Sequence, residues 1–342
     1  MGQVVQLKKP SNTFKHEISK LIDLCQEDLI STNTLLLEKL DSNVPLIHEI
    51  ASYLVLSGGK RLRPLLTSCS FHLIENKLDN QKKHVGLAAA VEFIHAATLL
   101  HDDVIDESQK RRGKLSANEI WGNKTSVLVG DFLFSRAFQL MAKYGNMEIL
   151  KILSDTSVII SEGEVLELSN DKDPTINEDV YFDVINGKTA SLFSAACQVG
   201  GISACATNKE IESLKSFGTN FGMAFQLIDD AIDYSSTNAS LGKNIGDDFK
   251  EGKVTLPIIL AFLRSNNEEK KFWKKTIERL EQDKTDLKNA IKIMEKYNCI
   301  SDTIERARHF ANVAIDSLGI FKENEYKSAL MNLIKSSLKR LN

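Results

Sequence analysis

Two long stretches of this chain are apolar on almost every side, and this feature limits the fold more than any other. Residues 86–100 contain only Glu92 and His95 as ionisable side chains, and residues 217–232 carry few polar groups. A helix that is apolar all round has to lie inside a bundle of other helices. Two such helices need a large surrounding structure, and the length of 342 residues allows one.

The remaining pattern also predicts helices. Apolar residues recur at intervals of three and four, as in Leu287, Ala290, Ile291 and Met294, and no sustained period-two alternation is found. No linker rich in proline or serine divides the chain. We therefore predict an all-α fold of ten or more helices, in a single domain over residues 1–342 whose first 20 or so residues are peripheral. Loops are expected at residues 76–83, 106–114, 170–174 and 235–252.

Composition excludes several classes of protein. A formal net charge of −3 gives no overall attraction for nucleic acid or an anionic membrane. No stretch reaches the roughly 18 apolar residues of a membrane-spanning helix. The 5 cysteines form no CxxC pair, which favours free thiols in a reducing compartment, and MGQVVQLKKP lacks an apolar signal core. We expect a cytoplasmic protein that neither binds nucleic acid nor inserts stably into a membrane, although a lipid product would call for membrane proximity.

Each apolar stretch leads into a DDxxD cluster. The clusters are Asp102-Asp103-Val104-Ile105-Asp106 and Asp229-Asp230-Ala231-Ile232-Asp233. Positions i and i+4 share a helix face, so Asp102 points with Asp106 while Asp103 is turned about 100° aside. Two carboxylates on one face repel each other, and Mg²⁺ removes the repulsion while bridging carboxylates to phosphates. One DDxxD arises by chance in such a chain with a probability of roughly 0.1, and two chance copies are much less probable. The second copy therefore disfavours the alternative that each cluster is only a solvated acidic helix end.

The two halves of this pattern fit one kind of ligand. Two acidic clusters facing one cavity would hold metal ions around a highly charged anion. The apolar helices that lead into the clusters would line an apolar pocket. A diphosphate joined to a hydrocarbon tail satisfies both requirements.

Basic residues accompany the acidic clusters. Three cations, Lys60, Arg61 and Arg63, follow the glycine pair of GGKRLRP, and Arg111 and Arg112 follow the first acidic cluster. Arginine is suited to forked binding of phosphate oxygens. Each basic cluster taken alone is also compatible with a solvated loop. His95 lies two helical turns before Asp102 on the same face, where a histidine bonded within the core is the alternative, and His101 is given no role.

Six motifs in family order resemble the trans-type polyprenyl diphosphate synthases. They are GGKRLRP, VEFIHAATLLHDDVIDES, RRG, GKTA, FQLIDDAIDY and GKNIGDDFKEGKVTLP, within a likeness that covers about residues 20–340. The likeness is greatest to the long-chain members, which make octaprenyl to decaprenyl side chains of quinones. The resemblance implies an isoprenoid synthase bundle around a central cavity, a homodimer, and two to three Mg²⁺ ions per active site.

The resemblance also implies roles for individual residues. Isopentenyl diphosphate would be bound by Lys60, Arg63, His95 and Arg112. The allylic diphosphate would be bound by Arg111, Lys188, Thr189, Gln226, Lys243 and Lys253. Magnesium would be held by Asp102, Asp106, Asp229 and Asp233. Catalysis would fall to Asp102, Asp103, Asp106, Arg111, Lys188 and Asp229, through ionisation of the allylic diphosphate, attack by isopentenyl diphosphate and loss of a proton to the released diphosphate.

Small residues precede the first acidic cluster. Ala97 and Thr98 lie about one turn deeper on the Asp102 face, where family members that stop at short products carry a bulky aromatic residue. An eight-unit tail is near 40 Å long, whereas the helix from Gly86 to Asp102 spans about 24 Å. A long tail must therefore leave this helix or bend. We expect a long-chain product and leave its length open between C30 and C50, together with the preferred primer and the choice between ubiquinone and menaquinone.

Three other functions share some of these sequence features. A class I terpene cyclase also uses DDxxD and Mg²⁺, but it needs no basic site for isopentenyl diphosphate. A helical metal-binding protein would show inward Glu and Glu-x-x-His pairs and would leave the basic clusters unexplained. A catalytically weak partner of a heteromeric synthase would lack motif residues, and none is missing here.

Overall fold

The computed structural model describes residues 13–74, 82–235 and 246–341, and helices account for most of them. The α-helices are α1 Thr13–Leu24, α2 Gln26–Lys39, α3 Pro45–Leu56, α4 Leu62–Leu73, α5 Lys83–Ile105, α6 Ala117–Trp121, α7 Asn123–Tyr144, α8 Met147–Ser169, α9 Glu178–Ile185, α10 Ser191–Ser203, α11 Asn208–Asp233, α12 Asp247–Glu251, α13 Leu256–Arg264, α14 Asn267–Trp273, α15 Asp286–Lys296, α16 Cys299–Ser317 and α17 Glu325–Leu338. Short π-helical segments at Asn186–Ala190 and Lys274–Glu278 and 3₁₀ turns at Leu318–Ile320 and Lys339–Leu341 continue the neighbouring helices. The all-α prediction is confirmed.

Three helices form the interior. Helix α5 packs against α2, α4, α7 and α10, and α11 packs against α10 and α16. Both are the apolar stretches expected at the centre. The third, α10, was not singled out from the sequence, yet almost all of its side chains are buried. Its sequence SLFSAACQVGGIS is short and rich in small residues, which lets its neighbours α4 and α11 approach closely.

Helix α5 also meets the length and composition of a membrane-spanning segment. In this structure 78% of its most apolar stretch is buried inside the protein. Its apolar surface is therefore covered by the neighbouring helices, as expected for a core helix.

Both acidic clusters lie at helix carboxyl ends. Asp106 is the C-cap residue of α5, and Asp233 is the last residue of α11. The carboxyl end of a helix carries partial negative charge, so aspartates are unfavourable there without a cation nearby. Negative charge is thus concentrated at the carboxyl ends of α5 and α11, and this concentration favours the binding of cations there.

Three local predictions need correction. The N-terminal residues from Thr13 on are not peripheral, because Phe14 and Ile18 of α1 are buried in a core shared with α4 and α17. The predicted loop 106–114 contributes to a two-stranded antiparallel hairpin, β1 Lys110–Arg111 and β2 Lys114–Leu115. The predicted loop 235–252 ends in helix α12. Each element is too short, or too dependent on distant partners, to be recognised by periodicity.

Candidate active site

The first acidic cluster faces two ways. Asp103 is 1% exposed and forms a forked ion pair with Arg111, whose Nε lies 2.8 Å from both carboxylate oxygens. Asp102 and Asp106 lie on the other side. Burial, together with the negative charge of Asp106, raises the pKa of Asp102 to about 6. The i, i+4 pair is therefore the one available to a cation, while Asp103 holds Arg111 in position.

The second cluster repeats this division. Its second aspartate, Asp230, is buried and accepts hydrogen bonds from the Tyr181 hydroxyl at 2.5 Å and the Gln226 amide at 2.8 Å. Burial raises the pKa of Asp230 to about 7. Asp233 accepts a hydrogen bond from the backbone N–H of Asp248 at 3.1 Å. In both clusters the second aspartate is fixed within the protein and the outer two surround it.

Asp229 has a partner that the sequence did not reveal. The Arg340 guanidinium lies 2.6 Å from Oδ1 of Asp229 and also stacks over the rings of Phe14 and Phe225. Arg340 comes from the last turn of the chain, 111 residues away. No spacing rule connects two such positions, so only the tertiary structure shows that the C-terminal turn reaches this site.

Lys188 occupies a π-helical turn between α9 and α10. Its Nζ lies 3.0 Å from Oε2 of Glu164 and 2.5 Å from Oε2 of Glu167. Burial alone would lower the pKa of Lys188, but the two glutamates hold it above its usual value. Sequence reasoning missed both glutamates, although their i, i+3 spacing on an acidic helix face was a usable signal.

A close approach of two backbones sets this contact. A Cβ added to Gly187 would lie 2.9 Å from Cα of Gly163 and from the carbonyl oxygen of Ile159. Only glycine therefore allows the π-helical turn to rest on α8. The turn delivers Lys188 directly onto the glutamates of that helix.

Lys253 stands between the two acidic clusters. Its Nζ lies 3.7 Å from Asp106 and 2.9 Å from Glu251. A cavity of about 490 Å³ includes Asp106 in its wall, and one of about 220 Å³ includes Asp229 and Asp233. The two cavities share Glu167 and Lys253, so both acidic clusters open onto adjoining space.

The basic cluster lies beside the first acidic cluster. The Arg63 guanidinium stacks over the Phe193 ring at 4.4 Å, and its Nε has no hydrogen-bond partner among the described residues. Burial lowers the pKa of Arg63 to about 10, which leaves it charged at neutral pH. The Arg112 guanidinium lies 3.0 Å from where a Cβ on Gly59 would stand, so that glycine makes room for it. Lys60 lies over the Phe14 ring at 4.8 Å.

Arg61 belongs to the same loop but turns inward. It pairs with Glu92 and donates to the carbonyl oxygen of Val55. This contact anchors the loop to α5 and α3. The two arginines therefore differ: Arg61 anchors the loop, whereas Nε of Arg63 has no hydrogen-bond partner among the residues that the structure describes.

The remaining predicted residues have clear places. Thr189 donates a hydrogen bond to the Gln226 side chain at 3.1 Å. Thr98 is half-buried and Ala97 fully buried in α5.

His101, to which the sequence assigned no role, connects two helices. Its Nε2 lies 3.2 Å from the carbonyl oxygen of Val127 on α7 and 3.5 Å from Asp131. Lys243 lies outside the described residues.

The neutral imidazole of His95 predicts a pH-dependent stability. Burial and then the charges of Arg63 and Arg112 hold the pKa of His95 well below its usual value. In the unfolded chain the imidazole takes up a proton near pH 6.5, so stability falls as the pH drops below that value. His95→Gln is expected to regain about 1 kcal/mol relative to wild type between pH 7 and pH 5.5.

Urea denaturation at the two pH values checks this prediction. The exposed His309 supplies a matched control, and His309→Gln should follow the wild type. Equal losses of stability in the wild type and in His95→Gln would contradict the placement of His95 in the arginine cluster.

Comparison with known proteins gives a consistent result. A family model described as Polyprenyl synthetase matches residues 44–294. The octaprenyl diphosphate synthase of Escherichia coli strain K12 is 41% identical over 323 residues, which cover 94% of this chain and 99% of that protein. The residues that the family model matches span the two acidic clusters and the arginine-rich segments.

Solved structures agree. A decaprenyl diphosphate synthase from Rhodobacter capsulatus has a TM-score of 0.90 and 42% identity, covering 95% of this chain and 99% of that one. A polyprenyl synthase from Caulobacter crescentus CB15, in complex with calcium and isoprenyl diphosphate, has a TM-score of 0.88 and 42% identity, covering 98% of this chain and 100% of that one. The similarity thus extends over nearly the whole length of each protein.

Proposed function

The chain belongs to the polyprenyl synthetase family, and on that premise we propose that it is a Mg²⁺-dependent prenyltransferase. It condenses isopentenyl diphosphate with an allylic diphosphate, such as farnesyl diphosphate. The product is a long-chain all-trans polyprenyl diphosphate, octaprenyl (C40) to decaprenyl (C50), for quinone side chains. The observation that carries the proposal is that the two acidic clusters line cavities that share Lys253, while Arg111, beside the arginine cluster, pairs with Asp103 of the first.

The carboxylate donors fit a hard divalent cation. Asp102 and Asp106 present oxygens from one helix end, and Asp229 and Asp233 from the other. Mg²⁺ prefers oxygen ligands and is commonly shared between carboxylates and substrate phosphates. We propose that these four residues hold two to three Mg²⁺ ions. The Caulobacter protein, which is in complex with calcium and isoprenyl diphosphate, supports binding of a divalent cation together with the diphosphate. Bound Mg²⁺ would draw negative charge from the departing diphosphate.

We propose that two lysines bind the allylic diphosphate. Lys188 is held by Glu164 and Glu167, and Lys253 by Glu251 and Asp106. These carboxylates raise the pKa of both lysines against the effect of burial, so both stay charged. Preorganised cations at the oxygens where charge develops stabilise the transition state of ionisation.

The arginine cluster supplies the second anion site. A diphosphate bound there would satisfy the unpartnered Nε of Arg63 and would accept forked hydrogen bonds from Arg112. Lys60 adds charge at the same loop, and neutral His95 adds a polar ring without charge. Isopentenyl diphosphate held here would be positioned beside the allylic diphosphate, and such positioning converts a bimolecular step into an effectively unimolecular one.

The apolar lead-in to the first cluster protects the reacting carbon. Helix α5 is almost completely buried from Val85 to Ala97. Water excluded by such walls cannot capture an allylic cation. The proton lost after coupling goes to the released diphosphate, so no side chain of this protein is assigned to that step.

Product analysis tests the proposal directly. Purified chain with farnesyl diphosphate, excess labelled isopentenyl diphosphate and Mg²⁺ is expected to give C40–C50 products in chromatography. Main products of C15 or C20 would contradict the long-chain assignment. A lack of label incorporation would contradict prenyl transfer itself and favour a cyclase or a partner subunit.

Chain length is proposed to depend on Thr98 and Ala97. Ala97 is fully buried, so a phenylalanine there would overpack the core and lower the free energy of unfolding by about 1–3 kcal/mol. Thr98 is half-buried on the Asp102 face and donates a local hydrogen bond to the carbonyl oxygen of His95 in α5. It is therefore the better position for a bulky residue.

Thr98→Phe is expected to shift the products to shorter chains, because the ring narrows the path of the tail. Thr98→Val removes the same hydroxyl without adding bulk and should leave the product distribution unchanged. Chromatography of products from both variants checks this. An unaltered chain length in Thr98→Phe at near-normal turnover would place the path of the tail elsewhere.

A homodimer is proposed from the exposed apolar side chains of α7. Leu128 is 67% exposed, and Val127 and Phe138 on the same helix are 38% and 42% exposed. A second copy of the chain that packs against this helix would cover them. Sedimentation equilibrium should give twice the 38.2 kDa chain mass. We further propose a cytoplasmic enzyme close to the membrane that takes up its product.

A further inference from the structure

A second group of metal-ligating side chains lies far from the acidic clusters. Asp28 of α2, His72 of α4 and His84 of α5 converge, with Oδ2 of Asp28 2.7 Å from Nε2 of His72 and 3.0 Å from Nε2 of His84. These ligand atoms all lie within 4.8 Å of one another. His84 is 18 residues before Asp102 on α5, about 27 Å along the helix. The two sites are therefore separate.

Aromatic neighbours fix both imidazole rings. The Phe71 ring stacks on His84 with centroids 3.8 Å apart and planes 12° apart. The Tyr326 ring stacks on His72 at 4.9 Å and 16°. Stacking of this kind sets the direction in which each Nε2 points, and both point to the same oxygen. Ligand orientation by surrounding groups is a general property of metal sites.

The buried ring of His84 has an incomplete set of polar partners. Its side chain is 3% exposed, Nδ1 has no hydrogen-bond partner among the described residues, and Nε2 meets Oδ2 of Asp28 at 3.0 Å as an ion pair without hydrogen-bond geometry. Buried nitrogens without partners are unfavourable and rare in folded proteins. Coordination of Nε2 to a cation would satisfy the nitrogen that faces Asp28.

A cavity gives access to the group. It has a volume of about 330 Å³, and Asp28, His72, Tyr326 and Cys25 form part of its wall. His72 is 22% exposed, so one ligand faces the cavity while His84 closes the inner side. Water from the cavity can complete the coordination of a bound ion.

We propose that Asp28, His72 and His84 form a binding site for a divalent transition metal of the Zn²⁺ class. Imidazole and carboxylate ligands favour Zn²⁺, Co²⁺ or Ni²⁺ over Mg²⁺. Bonds of about 2.0–2.2 Å place tetrahedral ligand atoms about 3.3 Å apart. The histidine nitrogens therefore move away from Asp28 by about half an ångström, and His72 at the end of α4 has room to do so. The ion ties together α2, α4 and α5.

Metal titration of the full chain tests the site. After treatment with a chelator, the protein is titrated with Zn²⁺ or Co²⁺ in excess Mg²⁺, which saturates the acidic clusters. We expect one equivalent to bind with a rise in Tm, and Co²⁺ to give visible absorption of an imidazole-bound ion. His72→Gln retains an N–H donor for Asp28 but is a poor ligand, so affinity should fall by more than about 100-fold.

Controls separate this site from the others. Binding should persist in His309→Gln, which removes an exposed histidine, and in Asp102→Asn, which alters the acidic cluster. Asp28→Asn is a second isosteric test should His72→Gln fold poorly. Loss of binding in either ligand variant with retention in both controls supports the site. Absence of binding in the wild type, or unchanged affinity in the ligand variants, overturns it, and neither result bears on prenyl transfer.

Discussion

Replacing Arg111 by methionine is expected to lower the free energy of unfolding by about 3 kcal/mol, because breaking a buried ion pair leaves an uncompensated charge. The charge left behind is that of Asp103, which is 1% exposed and bonded to Arg111 through both carboxylate oxygens. Prenyl transfer should fall at the same time by on the order of 100-fold, since Arg111 is also proposed to contact the leaving diphosphate. Urea denaturation and steady-state kinetics measure the two effects separately.

A double variant distinguishes the two roles of Arg111. Asp103→Leu combined with Arg111→Met removes both charges, and such apolar replacement of a buried pair is often neutral or stabilising. Stability should therefore return to within about 1 kcal/mol of the wild type. Activity should stay low. Recovery of full activity in the double variant would show that Arg111 serves the fold alone and makes no contact with substrate.

The arrangement of the acidic clusters could be predicted from the sequence because it depends on local helix geometry. Helix periodicity alone places Asp102 with Asp106 and turns Asp103 aside, and the structure shows this division. The same arithmetic applies to Asp229, Asp230 and Asp233. The apolar stretches before them predicted central helices for the same reason, since amphipathic periodicity is absent where a helix is covered on every side.

What the sequence could not predict depends on distant contacts. Arg340 meets Asp229 across 111 residues, and Phe14 of α1 lies under both Lys60 and Arg340. The N-terminal helix and the C-terminal turn thus close one side of the site, although each was outside every recognised motif. Arg111, the partner of Asp103, was recognised in the sequence as part of a basic cluster. Because Arg111 was assigned to bind a diphosphate, its ion pair with Asp103 was not predicted.

The carboxylates around Lys188 show a related limit. Glu164 and Glu167 lie in a helix with no recognised motif, and their function follows only from the π-helical turn that rests on them. Burial raises the pKa of Glu164 to about 7, a value that depends on packing and not on sequence. These glutamates set the position and charge of Lys188 before a substrate arrives.

Replacing Asp102 by asparagine is expected to reduce kcat by on the order of 1,000-fold. This is the size of effect expected when a metal ion no longer stabilises the charge of the transition state. The amide has the same size but cannot supply a charged ligand. Because burial already raises the pKa of Asp102 to about 6, a neutral group is tolerated at this position, and the variant should be as stable as the wild type. The defect is thus expected in chemistry and not in folding.

The neighbouring acidic side chain provides the matched control. Glu107 is exposed and lines the same cavity as Asp106, but it lies outside the proposed set of metal ligands. Glu107→Gln removes one negative charge, as Asp102→Asn does, and should leave kcat within about twofold of the wild type, as expected for a screened surface charge. Steady-state assays across a range of Mg²⁺ concentrations compare the two variants. Similar losses in both would mean that general negative potential attracts the cations, whereas a loss confined to Asp102→Asn assigns the effect to a ligand on one face of α5.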